Sequence, residues 1–342
     1  GYQLKYLPNA NLRWEKVEAW EAGFDANMFA NRLQFSGVYY NKNTKDLLAT
    51  VPGLSGTVPG LGNLGQIRNR GVELSLSWND RIGDWGYSIG ANLTTINNKV
   101  LNLVQEGYSI IDGEKSMSYT TAGYPIGYFY GYKVAGVYQN EEEIKNSPKN
   151  TLANVTPGDL KFEDLDGDGK ITPKDRTMIG NPTPKVTYGI NIGVSYKNFD
   201  LGIDMMGQGG NQIYRTWDNY NWAQFNYMAH RLNRWHGEGT SNSEPILNTA
   251  HTINNMNSDY YIEDGSFFRI RNVQLAYNFD KNLLKKIYMQ ALKVYVNVQN
   301  LKTWKNNTGY SPELGGKATA FGVDNGSYPI PAIYTFGLNL TF

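Results

Sequence analysis

The chain has 342 residues, 32 of them basic and 31 acidic, giving a formal net charge of +1. That near balance argues against a nucleic-acid binder, which needs a basic surplus to neutralise phosphates. The absence of cysteine excludes a disulfide framework, a thiolate metal site and a cysteine nucleophile.

With 37 Gly, 25 Tyr, 8 Trp and 13 Phe at only 18% charge, the composition is that of strands and turns joined by polar loops. No apolar run approaches the roughly 18 residues that a membrane-spanning helix needs. A barrel strand leaves no such run, because it alternates lipid-facing with lumen-facing side chains. The chain opens Gly1-Tyr2-Gln3 with neither an initiator Met nor a signal peptide, so a mature fragment or C-terminal portion is expected.

In chain order, a period of two runs through Trp20 to Met28, Phe35 to Tyr39, Val72 to Trp78, Tyr87 to Leu93 and Tyr188 to Tyr196. It returns in Leu201 to Met205, Val273 to Phe279, Val294 to Val298 and Tyr334 to Phe342. Tight polar turns at 29–32, 79–84 and 197–200 and a modest one at 281–291 alternate with long connections near 48–66, 100–183, 207–266 and 304–329. Short on one side and long on the other is the arrangement of outer-membrane barrels, with periplasmic turns and extracellular loops. With Phe342 in the periplasm, every short turn falls inside and every long loop outside, provided Ile126 to Gln139 is a strand within an external excursion. The expected fold is therefore an all-β, transmembrane antiparallel β-barrel, of which residues 1–342 supply about nine strands of a larger whole. An odd number of strands with free edges does not close alone. A soluble sandwich or propeller fits poorly, because loops of this length do not suit a compact domain.

The strand-end aromatics Tyr39, Tyr40, Trp78, Trp85, Tyr87, Tyr196 and Phe199 are expected in the girdles at the membrane interfaces. The final strand, Tyr334-Thr-Phe-Gly-Leu-Asn-Leu-Thr-Phe342, resembles the signal read by the outer-membrane barrel assembly machinery.

Several segments together carry a family resemblance. They are Trp14-Glu-Lys16, Tyr39-Tyr-Asn-Lys-Asn-Thr-Lys-Asp-Leu-Leu48, Ile67-Arg-Asn-Arg-Gly-Val-Glu-Leu74 and Gly127-Tyr-Phe-Tyr-Gly-Tyr-Lys133. To these are added Gly158-Asp-Leu-Lys161 through Asp175-Arg176 to Gly180-Asn-Pro182, and Tyr261-Ile-Glu-Asp-Gly-Ser-Phe-Phe-Arg-Ile-Arg-Asn272. They resemble the barrel of SusC/RagA-type TonB-dependent transporters of Bacteroidota, over nearly the whole chain. The resemblance implies a barrel of about 22 strands plugged by an N-terminal domain that this chain lacks. It also implies energy delivered through TonB and a SusD-like surface lipoprotein acting as a lid that captures oligosaccharides or peptides.

Asp164-Leu-Asp-Gly-Asp-Gly-Lys-Ile-Thr-Pro-Lys-Asp175 matches a twelve-residue calcium loop. Asp164, Asp166 and Asp168 fill positions 1, 3 and 5, the Lys170 carbonyl and Thr172 fill positions 7 and 9, and Gly169 permits the sharp turn. Position 12 is Asp175 rather than Glu, which shortens its reach. A structural Ca²⁺ is expected here, the alternative being an acidic turn without metal. Gly60-Leu-Gly-Asn-Leu-Gly65 formally matches a dinucleotide fingerprint, but a strand follows it where a helix is required, so a flexible external loop is expected. His230, His236 and His251 lack metal-site spacing and read as solvated or loop-packed. The same long loop holds Trp217, Tyr220, Trp222, Phe225, Tyr227, Arg231, Arg234 and Trp235, suited either to stacking on substrate or lid or to giving the loop its own small core.

The functional expectation is an outer-membrane nutrient importer and not an enzyme, with selectivity in lumen and loop contacts. The alternatives are a passive pore or surface scaffold barrel, and a secreted calcium-stabilised binding module.

Overall fold

The computed structural model describes residues 12–51, 60–63, 65–103, 107–217, 227–248, 250–286 and 288–342. Nine long strands follow in order: β1 (Lys16–Met28), β2 (Leu33–Lys45), β3 (Gly65–Ile82), β4 (Trp85–Thr95), β5 (Val186–Tyr196), β6 (Phe199–Gly209), β7 (Phe267–Asn278), β8 (Ala291–Lys305) and β9 (Ile333–Thr341). They form one antiparallel meander in which each strand pairs with its neighbours in sequence, and Asn97–Leu103 adds a short partner to the start of β3. Among the described residues β1 and β9 each have one partner, so both edges are open.

Register explains why these residues form this sheet. Met28, Leu33, Trp78, Ile89, Ile192, Ile203, Val273, Val298 and Tyr334 stand opposite one another in turn, one from each strand. One step along, Asn27, Gln34, Ser77, Gly90, Asn191, Asp204, Asn272 and Gln299 make an adjacent row over the first eight strands, polar but for the side-chain-less Gly90. Because the side-chain period is two, a slip of one residue would exchange these faces, so the two rows fix the pairing. The apolar face is uncovered: Leu76 is 45% exposed and Phe336 80%. That is the state of a surface whose solvent is lipid. No helix among the described residues is long and apolar enough to cross a membrane.

The turns 29–32, 83–84, 197–198 and 279–290 share one rim; the last carries the short helix Lys281–Lys285. The connections 46–64, 96–185, 210–266 and 306–332 share the other. At the short-turn rim Trp85 stacks on Tyr196 with ring centroids 4.3 Å apart, and Phe199 lies 4.8 Å from Tyr277, the girdle expected there. Tyr40 departs from that expectation. It neighbours the lipid-facing Tyr39, so the pleat turns it to the inner face, where its hydroxyl donates to the Thr95 carbonyl at 2.9 Å.

Most of the packed core lies outside the nine long strands. The largest fully buried apolar side chains, among them Met117, Phe129, Tyr138, Leu160, Phe162, Ile213 and Ile253, all belong to the long connections. One cluster joins Met117, Phe129 and Ile179 to Tyr214 and Tyr261; another joins Tyr132, Val137, Leu160, Phe162 and Ile171 to Ile253. Short strands knit the connections together, as where Gln212–Arg215 pairs with Ile262–Asp264 on one side and with Val323–Asp324 on the other. The long connections thus form a folded roof over one end of the wall. The stretch expected as a single strand from Ile126 to Gln139 is two, Tyr128–Gly131 and Val134–Val137, in separate sheets. The chain changes sheets at Tyr132, whose backbone N–H donates instead to the Asn257 carbonyl.

Candidate functional site

Three places carry the chemistry: the inner wall, the acidic loop and the aromatic connection. On the inner wall Asp204 accepts hydrogen bonds from the side-chain amides of Asn191 at 2.7 Å and Asn272 at 3.3 Å, one from each flanking strand. Small residues such as Gly90, Gly193 and Ser195 leave this wall shallow, and amide side chains give it paired donors and acceptors. The inner-wall residues were not singled out from sequence, although they occupy the alternate positions of the same strands.

In the acidic loop, one carboxylate oxygen from each of Asp164, Asp166 and Asp168 lies within 4.8 Å of the others. Asp164 accepts from the backbone N–H of Gly167 and of Gly169, both at 2.8 Å, and Asp168 accepts from that of Lys170 at 2.8 Å. Gly167 and Gly169 adopt φ of 74° and 79°, which winds the loop around the carboxylates. The structure gives Asp175 and Thr172 another place. Asp175 is fully buried, accepting from Leu165 N–H at 2.9 Å on one oxygen and from Thr172 N–H at 2.7 Å on the other. The Thr172 hydroxyl caps the following turn. Burial works against the Asp175 charge, but these hydrogen bonds prevail and hold its carboxyl below the usual carboxylate range.

In the aromatic connection, Tyr220, Trp222 and Phe225 lie outside the described residues. Arg231 and Trp235 belong to the interior of the roof. Arg231 is buried against Glu244 and donates to the Tyr260 hydroxyl at 2.7 Å, while Trp235 packs on the cluster around Tyr132 and Phe162. Burial pushes the Tyr260 hydroxyl upward, which keeps it a protonated donor to Glu244 at 2.8 Å. Trp217 is half-buried, with the Arg215 guanidinium 5.7 Å above its ring; Arg234 is half-buried and Tyr227 exposed. His251 is loop-packed, its Nδ1 2.6 Å from the fully buried Asp159, and His230 is half-buried, whereas His236 is exposed, with its Nδ1 3.0 Å from the Arg234 carbonyl. The glycine motif is a hairpin, Leu48–Val51 against Gly60–Asn63, and β3 follows where a phosphate site needs a helix N-terminus.

An antiparallel wall, apolar outside and polar inside, with turns on one rim and a folded roof on the other, defines a segment of an outer-membrane β-barrel. The chain belongs to the TonB dependent receptor-like, beta-barrel family, whose profile matches residues 1–301. It is 33% identical to TonB-dependent receptor P3 of Formosa agariphila, over 100% of this chain and 36% of that protein. It is 26% identical to TonB-dependent receptor SusC of Bacteroides thetaiotaomicron, over 98% of this chain and 32% of that one. Its fold is that of a chain in the RagAB peptide transporter, with a TM-score of 0.81 at 24% identity, covering 98% of this chain and 36% of that one. The chain thus spans about a third of the length of these relatives. Family membership places it in the outer membrane and among receptors rather than enzymes.

Proposed function

We propose that this chain is part of the barrel wall of a TonB-energised outer-membrane importer, which takes up oligosaccharides or peptides too large for porins. A SusD-like lipoprotein closes over its roof, and Trp217, Tyr227 and Arg234 are the described surface residues available to lid or substrate. The reading is carried by one observation: an apolar row crosses all nine strands beside a polar row, and among the described residues both edge strands have a free side. Family membership and the likeness to RagAB support it.

The roof takes one structural Ca²⁺ at Asp164, Asp166 and Asp168. Three carboxylate oxygens gathered in one small loop suit a hard cation that prefers oxygen ligands, and extracellular calcium is abundant enough for weak affinity to suffice.

The test of transport is uptake of labelled oligosaccharides and peptides by cells carrying or lacking the full-length gene, with TonB present or removed. Uptake that needs both is expected. Uptake that persists without TonB assigns the barrel to passive diffusion and sinks the reading. Native extraction in mild detergent is expected to bring a surface lipoprotein with the protein.

A further inference from the structure

The alternation along β7 breaks once. Phe268 and Ile270 share the lipid face, and so do Val273, Leu275 and Tyr277, but the two sets are out of phase by one residue. The ladder shifts there on both sides. Between β6 and β7 the pairing jumps from Asp204 with Asn272 to Met205 with Ile270, leaving Arg271 over. Between β7 and β8 it jumps from Asn272 with Gln299 to Ile270 with Lys302, leaving Asn300 and Leu301 over. Asn300 stands at φ 53°, and its side-chain amide donates to the Pro331 carbonyl at 3.1 Å. Bulges re-aim side chains, and a bulge shared by adjoining ladders at one height is a built feature of the wall.

What the bulge re-aims is Arg271. It lines an inner-wall hollow of about 850 Å³ together with Asn191, Asp204, Asn272, Gln299 and Asn300. Asp204, the hollow's one carboxylate, is held by Asn191 and Asn272, whereas Arg271 is exposed and makes no ion pair among the described residues. Three residues away on the lipid face, Phe268 stacks between Tyr188 and Trp304, with centroids 6.3 and 5.6 Å distant. Such aromatics mark the membrane interface on the roof side, so the hollow lies just below the outer mouth of the lumen. A guanidinium whose fork takes no partner among the described residues, set among amide donors and acceptors, matches a carboxylate carried on a chain of hydroxyl or amide groups.

We infer that Arg271 is a specificity-determining residue, binding a carboxylate of the imported molecule at this hollow. The inference rests on the importer reading and deepens it. The carboxylate belongs either to an acidic oligosaccharide or to an oligopeptide, and the test separates the two.

Full-length protein, with its lid if one copurifies, is titrated calorimetrically with an oligouronate and its methyl ester, and with an oligopeptide and its fully amidated form. Correct folding of each variant is checked by heat-modifiable electrophoretic mobility. The parent is expected to prefer one acid over its neutral form at least tenfold; Arg271→Ala abolishes that preference and Arg271→Lys, which keeps the charge but loses the fork, restores part of it. A parent with no preference for either acid, or a folded Arg271→Ala variant with the parental preference, overturns the inference. TonB-dependent uptake is measured separately, so the importer reading survives that outcome and falls only if such uptake is absent.

Discussion

Asp175 sits at the last position of the acidic loop and is buried where a metal ligand would be open. Its oxygens gather the backbone N–H groups of Leu165 and Asp166 on one side and of Thr172 on the other, closing the loop before any cation arrives. It holds the loop in the shape that gathers Asp164, Asp166 and Asp168. Asp175→Asn puts an amide donor against a backbone donor, which is expected to favour local opening roughly tenfold. Limited proteolysis of the folded protein reads this as faster cleavage within 150–180; an unchanged rate refutes it. Because its carboxyl is held below the ordinary value, Asp175 contributes its stability above the unfolded pKa of about 3.9 and loses it as pH falls through the lower folded value. The roof is therefore expected to loosen below about pH 4 in the parent, while the acid dependence of Asp175→Asn flattens in that window.

Among the elements, the two faces of each strand are not interchangeable. Leu76, mid-strand on β3 between Phe35 and Ala91, meets lipid, and Ser75 beside it meets the lumen. Leu76→Arg is expected to cost about 2–4 kcal/mol of insertion energy, as for an arginine at the bilayer midplane. Ser75→Arg is expected to be tolerated. Comparing heat-modifiable band fractions of the two variants in the outer membrane checks this, and equal losses would contradict the facing. This facing was legible in sequence, since Val72, Leu74, Leu76 and Trp78 alternate with Glu73, Ser75 and Ser77. The phase slip at Arg271 was legible too, but it reads as noise until both neighbouring ladders are seen to shift with it. The roof was not legible. Its strands run two to four residues, too short for a period, and contacts such as Tyr132 stacked on Phe162 at 4.7 Å depend on pairings that no local pattern announces. Arg231 illustrates the difficulty: a loop arginine reads as surface until Glu244 and Tyr260 are found enclosing it.

For the molecule as a whole, wall and roof have different sources of stability. The wall is secured by its ladders and by lipid, and among the described residues its edge strands β1 and β9 each pair on one side only. The roof is secured by its own apolar clusters and by side chains that span connections, such as Asp159 accepting from Asn254 at 2.9 Å. Calcium is expected to act on the roof alone. Chelation should raise protease sensitivity near the acidic loop without changing the fraction of folded barrel on gels, and Asp168→Ala should behave as the chelated parent does. A chelator effect on the barrel band, or none on the loop, would contradict this division.

The knitting of the long connections into a packed body also decides how antibodies would meet this protein. Antibodies raised against the folded molecule will recognise epitopes assembled from distant segments, as where Gln212–Arg215 lies between Ile262–Asp264 and Val323–Asp324. Synthetic peptides copied from single connections are expected to compete poorly for such antibodies, and full competition by any one peptide would show that its segment is antigenically independent. Immunisation with the folded protein is thus expected to give roof-directed antibodies that single linear peptides do not.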